Sequence, residues 1–261
     1  MRPFRLLLVG GILSYRALFG WLSPWILIPS LLVTPLAQIL LFVYIGRSAG
    51  VGDDGFFVIG NAVQYAAIPC LIGMTSTVVG DRLQGTLGIV FASPASRFAL
   101  VIGRALPVML NGLAVSLFGV LAGSALLGVE VDSRALAPIA LAIVVSVVAC
   151  TGLGLVNAAF GLRLRDTAIV SNLLYGILLL ASGANIPRHV LPGWLAELGS
   201  WLPLTHGIEA ARRLADGAAL GDVRGLLATE VALGLGYGVL GVVMLRVFEV
   251  RSRDAASLER L

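Results

Sequence analysis

The sequence predicts an all-α polytopic membrane protein with six transmembrane helices, and three observations carry that expectation. Long uncharged apolar runs recur along the chain. All 18 basic residues are arginine, set mostly between those runs, and no lysine occurs anywhere. With 58% hydrophobic and 12% charged residues and a mean hydropathy of +0.98, the chain lies far from the soluble-domain average of about 25% charged. A soluble core can hold one such helix, but not six in series. The 261 residues leave little room for a second folded domain, so residues 1–261 are expected to form a single membrane domain.

The elements follow in order. Residues 1–24 begin with Arg2, Arg5 and Arg16, which fall in one sector of a helix opposite much of the Leu and Ile content. This predicts an amphipathic helix lying in the inner interface, near Trp21 and Trp25. A signal peptide is not expected, because Arg16 follows the apolar run at once and no small-x-small cleavage site is visible. Uncharged runs over residues 25–45, 56–80, 105–129, 135–162 and 167–187 each exceed the roughly 18 residues needed to cross about 30 Å of hydrocarbon. A sixth run, 226–247, carries Glu230 near one end and Arg246 near the other, where both would snorkel to an interface. Pro29, Pro35 and Pro69 are expected to bend the first two spans.

Between the second and third spans, residues 81–97 are expected to form a cytoplasmic amphipathic helix. Leu83, Leu87, Val90 and Phe91 recur at helical spacing, and Ser93-Pro94 reads as N-cap and first residue of the next helix. Before the last span, residues 188–216 are too broken by proline and glycine to cross, yet too apolar for a free loop. Trp194 and Trp201 share a helix face there, which predicts short re-entrant or interfacial helices. Glu209 stands within one helical turn of Arg212 and Arg213, the spacing of a local ion pair.

Arginine placement sets the topology. With the N-terminus inside, the inner side holds 12 arginines and the outer side 6, so the positive-inside rule places both termini in the cytoplasm. The pI of about 9.6 does not indicate nucleic-acid binding, because the arginines form no stripe with interleaved aromatics. Cys70 and Cys150 fall inside spans and read as small buried apolar residues. His189 and His206 stand alone, so no metal site is expected. Without lysine the chain has no P-loop, and HExxH does not occur. No enzymatic site is expected, and no cofactor.

Gly85-Thr86-Leu87, then Ser93-Pro94, then Gly103-Arg104 at the foot of a span resemble the coupling stretch of the type-2 permeases of ATP-binding-cassette exporters. Leu191-Pro192-Gly193-Trp194, Trp201-Leu202-Pro203-Leu204-Thr205 and Ile208-Glu209-Ala210-Ala211-Arg212 are similar to that family's segments before its final span. The likeness runs through nearly the whole chain. It departs from the family around GTL, where Asp81 and Arg82 stand upstream and Gly88 downstream in place of the frequent glutamates. The resemblance, closest in kind to bacterial drug and antibiotic export permeases, implies a permease subunit with no ATPase site of its own. ATP and Mg would be bound by a separate ATPase subunit on the cytoplasmic side.

The resemblance further implies a second permease copy, a homodimer ahead of a heterodimer, around a central pathway in a bacterial inner membrane. Asp81, Arg82, Gln84, Gly85, Thr86, Leu87, Ser93 and Pro94 would contact the ATPase. Lipid does not tolerate amides on an exposed face, so those within the spans either bond neighbouring helices, the commoner fate, or line a pathway. Gln38, Asn61, Gln64 and Asn172 are the preferred pathway residues because the family's first, second and fifth spans flank its pathway. Trp194, Trp201, Pro203, Glu209 and Arg212 would form an extracytoplasmic gate. Outward transport of an amphipathic or lipid-like solute is the function expected. An ion-driven secondary carrier and a non-transporting assembly factor are the alternatives; the first is disfavoured because no carboxylate is expected near a bilayer midplane.

Overall fold

Proline, glycine and aspartate divide the chain into its helices. The computed structural model describes residues 24–51, 53–83, 97–162, 164 and 166–258. Among these residues there are nine α-helices and no strand: α1 (Pro24–Ala49), α2 (Asp54–Gln64), α3 (Met74–Leu83), α4 (Arg97–Leu127), α5 (Ser133–Gly161), α6 (Thr167–Ala181), α7 (Gly193–Trp201), α8 (Thr205–Ala215) and α9 (Leu220–Leu258). The expected amphipathic helix over 1–24 lies outside the described residues except for Pro24. Of the expected coupling residues, Asp81 and Arg82 fall in the last turn of α3, while Gln84, Gly85, Thr86, Leu87, Ser93 and Pro94 lie outside the described residues.

Helix starts are marked by aspartate. Asp53, Asp132 and Asp166 each accept from a backbone N–H in the first turn of α2, α5 and α6, satisfying donors that a helix leaves unpaired. Gly50 and Gly128, both left-handed, follow α1 and α4 and allow the chain to reverse. Arg47 pairs with Asp54 across the first of these reversals.

Five stretches are long and apolar enough to cross a membrane: Leu32–Ala49, Asp54–Gly80, Val101–Leu127, Ser133–Gly161 and Leu220–Phe248. The second is interrupted, as Pro69 leads one to expect. Proline has no N–H and its ring crowds the carbonyl four residues back. The Tyr65 carbonyl accepts instead from Ile68 N, and a π turn over Pro69–Gly73 carries the chain into α3. The remaining expected span, 167–187, contains only the 15-residue α6; residues 182–187 leave the helix and run as buried or half-buried chain.

Packing is set by small residues. The most extensive helix pair is α5 against α9, and there a Cβ on Gly152 would stand 2.6 Å from the Gly234 carbonyl oxygen, while one on Gly234 would stand 2.7 Å from Ala149 Cα. Gly119 and Gly123 bring α4 against Ala62 and Val58 of α2 in the same way. Cys70 and Cys150 are buried free thiols. The core is built on α2 and α5, whereas α1, α6 and α9 leave much apolar surface exposed, including Leu41, Leu173 and Leu235.

Replacing Gly152 or Gly234 with leucine is expected to cost at least the ~1–3 kcal/mol of an overpacked core. Gly236→Ala, with open space around it, is expected to be neutral. Thermal melts of the detergent-solubilised chain, followed by size exclusion, check both.

Candidate functional site

Three apolar helices meet around a polar cluster. Gln38 on α1 donates through Nε2 to Asn61 Oδ1 on α2 at 3.2 Å. The Tyr175 hydroxyl on α6 donates to Gln38 Oε1 at 2.9 Å. Asn61 uses its own amide nitrogen on the Phe57 carbonyl at 2.9 Å, one turn back. Close by, Tyr65 shares a hydrogen bond with Thr34, so α1 and α2 are linked twice. Gln38 and Tyr175 are partly exposed while Asn61 is fully buried. The cluster therefore has a sealed side and an open side.

Gln64, one turn after Asn61, is also fully buried and accepts from Ser182 Oγ at 2.8 Å, just past the end of α6. A separate link lies further along the bundle. Asn157 on α5 donates to Thr75 Oγ1 at 2.8 Å and to Ser171 Oγ at 2.7 Å, and both hydroxyls pass their protons to carbonyls one turn back. Asn157 thus joins α3, α5 and α6 as internal glue.

The second part of the site is the hairpin formed by α7 and α8. Arg212 on α8 is turned inward and donates to the carbonyls of Phe56 (2.9 and 3.2 Å), Gly183 (2.8 Å) and Ala184 (2.7 Å). Its guanidinium carbon lies 3.5 Å from the centroid of the Phe56 ring. Burial pulls its pKa down to about 10, so the group remains cationic at neutral pH. One planar side chain therefore ties α8 to the start of α2 and to the segment after α6. A methyl group on Gly60 would overlap this guanidinium.

The hairpin's other end rests on Glu230. This carboxylate is fully buried in α9 and accepts from Leu204 N at 2.6 Å and Gly207 N at 3.2 Å. It caps the N-terminus of α8, where free N–H groups and the helix dipole favour an anion. The sequence led one to expect Glu230 to snorkel to the interface near the end of its own helix; instead α8 covers it and supplies its donors. Leu204 sits at φ 79°, a left-handed conformation that costs an L-residue roughly 1–2 kcal/mol. Tyr237 donates to the Trp201 carbonyl at 2.9 Å, and Thr205 donates to the Gly199 carbonyl at 2.6 Å. His206 is half-buried with Nδ1 3.9 Å from Glu230. Burial, aided by the charge of Arg188, lowers its pKa.

The structure thus brings some expected residues together and separates others. Gln38 and Asn61 touch, and Gln64 is sealed within the bundle beside them. Asn172 is exposed on α6, with Ile169 and Leu173 exposed beside it. Trp194 and Trp201 are exposed on α7, and Pro203 is buried at the hairpin turn. Glu209 pairs with Arg213 at 2.8 Å and leaves Arg212 to the carbonyls. Sequence reasoning missed Tyr175 and Thr34. Tyr175 stands three residues after Asn172, on the same helix face, which is the signal that would have found it.

Between Asp53, the α4–α5 connection and α8 lies a cleft of about 440 Å³ whose rim carries Asp53, Asp54, Glu130 and Asp216, with Arg212 against one wall. Among the described residues no group of His, Cys, Asp and Glu side chains is arranged to hold a metal ion. Comparison with known proteins adds one match: a family model described as ABC-2 type transporter covers residues 11–214. No curated protein matches the chain.

Arg212→Ala strands three carbonyls and is expected to destabilise the protein by about 3 kcal/mol. Arg212→Lys is expected to recover only part of this, having no planar fork, while Arg213→Ala at an exposed pair is expected to change stability by less than ~1 kcal/mol. Thermal melts of the three variants check the order.

Proposed function

The chain belongs to the ABC-2 type transporter family and is a membrane permease of that type; from this premise we propose that it is the six-span subunit of a bacterial exporter. The separate ATPase binds ATP and Mg below the membrane, and two copies of this chain enclose the pathway. The family match carries the transporter reading, and the partly open Gln38–Asn61–Tyr175 cluster supports the choice of solute.

For α6 to serve as the sixth span, its 15 residues supply roughly 22 Å of rise at 1.5 Å per residue, short of about 30 Å of hydrocarbon. Residues 182–187 complete the crossing. Non-helical chain at that depth is tolerated where protein satisfies its backbone, and Arg212 does so for Gly183 and Ala184. The α7–α8 hairpin fits a re-entrant element: it contacts α9 at Glu230 and Tyr237, roughly 15 and 25 Å along that helix from Leu220. In this arrangement the hairpin closes the outer end of the pathway, with Trp194 and Trp201 at its surface and Pro203, Glu209 and Arg212 fixing its shape.

The solute contacts Asn172 and the open edges of Gln38 and Tyr175, while Asn61 and Gln64 hold that edge in place. Amides and a phenol set among exposed apolar side chains favour an amphipathic or lipid-like molecule. Asp81 and Arg82, with Gln84 to Leu87 and Ser93-Pro94, form the contact with the ATPase and turn its closure into rotation of the spans.

Three measurements test this reading. Purification of the tagged chain from its native membrane in mild detergent is expected to bring a stoichiometric P-loop ATPase; its repeated absence, with transport following an ion gradient, would replace the reading with a secondary carrier. Bulky charged residues at Gly85 and Thr86 are expected to leave insertion intact and reduce ATP-driven export at least tenfold; unchanged export would remove the coupling assignment. A cysteine replacing Ser252 is expected to react only with membrane-permeant reagents in intact cells, and labelling by an impermeant reagent would reverse the orientation.

A further inference from the structure

Among the residues whose burial the structure describes, Glu230 is the only acidic or basic side chain that is fully buried. Its partners are backbone donors of one turn: Leu204 N, Gly207 N and, directed at the same carboxylate, His206 N. Around it stand the His206 imidazole on α8 and Ser146 and Cys150 on α5. A charge held inside a membrane helix is costly, and such residues usually mark a working part. The turn it holds is itself strained, since Leu204 is the only non-glycine described residue with positive φ.

The same turn is fitted closely to the bundle. A Cβ on Gly207 would overlap Ser146, and one on Gly199 would overlap the Ala181 carbonyl. Within the hairpin, the Thr205 hydroxyl on the Gly199 carbonyl ties α8 to α7, which favours their moving as a unit. α9 continues for 39 residues, from Leu220 to Leu258, and is keyed to α5 by glycines, so the two shift as a pair that draws Glu230 and Ser146 away from α8 together. Strain of this kind persists only while its surroundings impose it, and it is found at switch regions.

We propose that Glu230 is a positioning residue of the outer gate: its carboxylate holds the strained Leu204 turn, and a shift of α9 that withdraws it releases α7 and α8 to open the exit. This rests on the export reading above. Strain at Leu204 supplies the release and the carboxylate opposes it. Removing either one therefore disturbs the cycle in opposite senses, the first favouring a seated hairpin and the second a free one.

The test uses the full-length chain with its ATPase in lipid vesicles, with Cys70 and Cys150 replaced by alanine and Leu202→Cys as reporter. Leu202 is buried at the hairpin tip, so N-ethylmaleimide is expected to label it slowly. E230A is expected to raise the labelling rate about tenfold and E230Q, which keeps one acceptor for Leu204 N, by less. L204G, free of strain, is expected to label like the parent, and E230A/L204G to fall back toward it. In export, E230A and L204G are each expected to lower the maximal rate at least threefold with KM unchanged. Leu204 is itself fully buried, so export by L204G is read against L204A, which loses nearly the same side chain and keeps the strained backbone. Unchanged labelling in E230A or E230Q would overturn the hold, and export by L204G equal to or above that of L204A would overturn the role of strain. Labelling reports the hold without transport, so failure of the export reading shows separately, as no ATP-driven export by the parent.

Discussion

Backbone polar groups shut away from solvent must be satisfied within the protein, and two ionisable side chains, one fully and one partly buried, meet that constraint where the chain is not continuous helix. Glu230 takes the free N–H groups at the start of α8. Arg212 takes the carbonyls that follow α6 and one in the first turn of α2. Neither is placed against the other; each meets backbone of opposite polarity, an anion at a helix start and a cation at carbonyls beyond a helix end. The hairpin of α7 and α8, the short α6 and the first turn of α2 depend on these two side chains.

Rigidity is distributed accordingly. α5 packs along α9 through glycines that admit backbone contact, and α4 packs on α2 by the same means. Overpacking or opening such seams is costly because no flexible side chain lies between the backbones to adjust. By contrast α1 and α6 touch the rest less extensively, and a few polar side chains, Gln38, Tyr175, Ser171 and Ser182, supply directional contacts. A helix tied by hydrogen bonds over a limited area shifts more readily than one keyed by glycine over its whole length. The proposed pathway residues accordingly lie on the loosely held helices.

The sequence made the main helices legible because the bilayer imposes a length that an apolar run either meets or does not. It also marked the break at Pro69, since a missing N–H has a local consequence. The short α6 was read past its end: residues 167–187 form one uncharged run, and its one stop signal, the left-handed Gly183 just beyond the helix, does not say where the backbone donors and acceptors that follow find partners. The partners of Arg212 were hidden for the same reason, as Phe56 lies 156 positions away. The local pair expected of Glu209 forms with Arg213 and leaves Arg212 to these distant carbonyls. Glu230 was read by distance along its own helix, when its environment is set by another.

The amides within the spans divide by how much of their bonding capacity the protein uses, and that division bears on what crosses the membrane. Asn61 gives its nitrogen to Phe57 and its oxygen to Gln38, so it has little left for a solute. Asn157 spends both donors on hydroxyls. Gln38 is engaged through both of its amide atoms yet remains partly open, and Tyr175 donates to it while keeping its own oxygen available as an acceptor. Asn172 stands exposed on the same face of α6. A solute passing this edge meets a neutral amide, a phenol oxygen and apolar side chains, with no charge in the described cluster to balance a fully ionised molecule. Such a surface asks little for shape or for particular hydrogen bonds, and it penalises an unpaired charge heavily. On the pathway proposed above, such an edge would favour solutes that bring a large apolar part and a modest polar one.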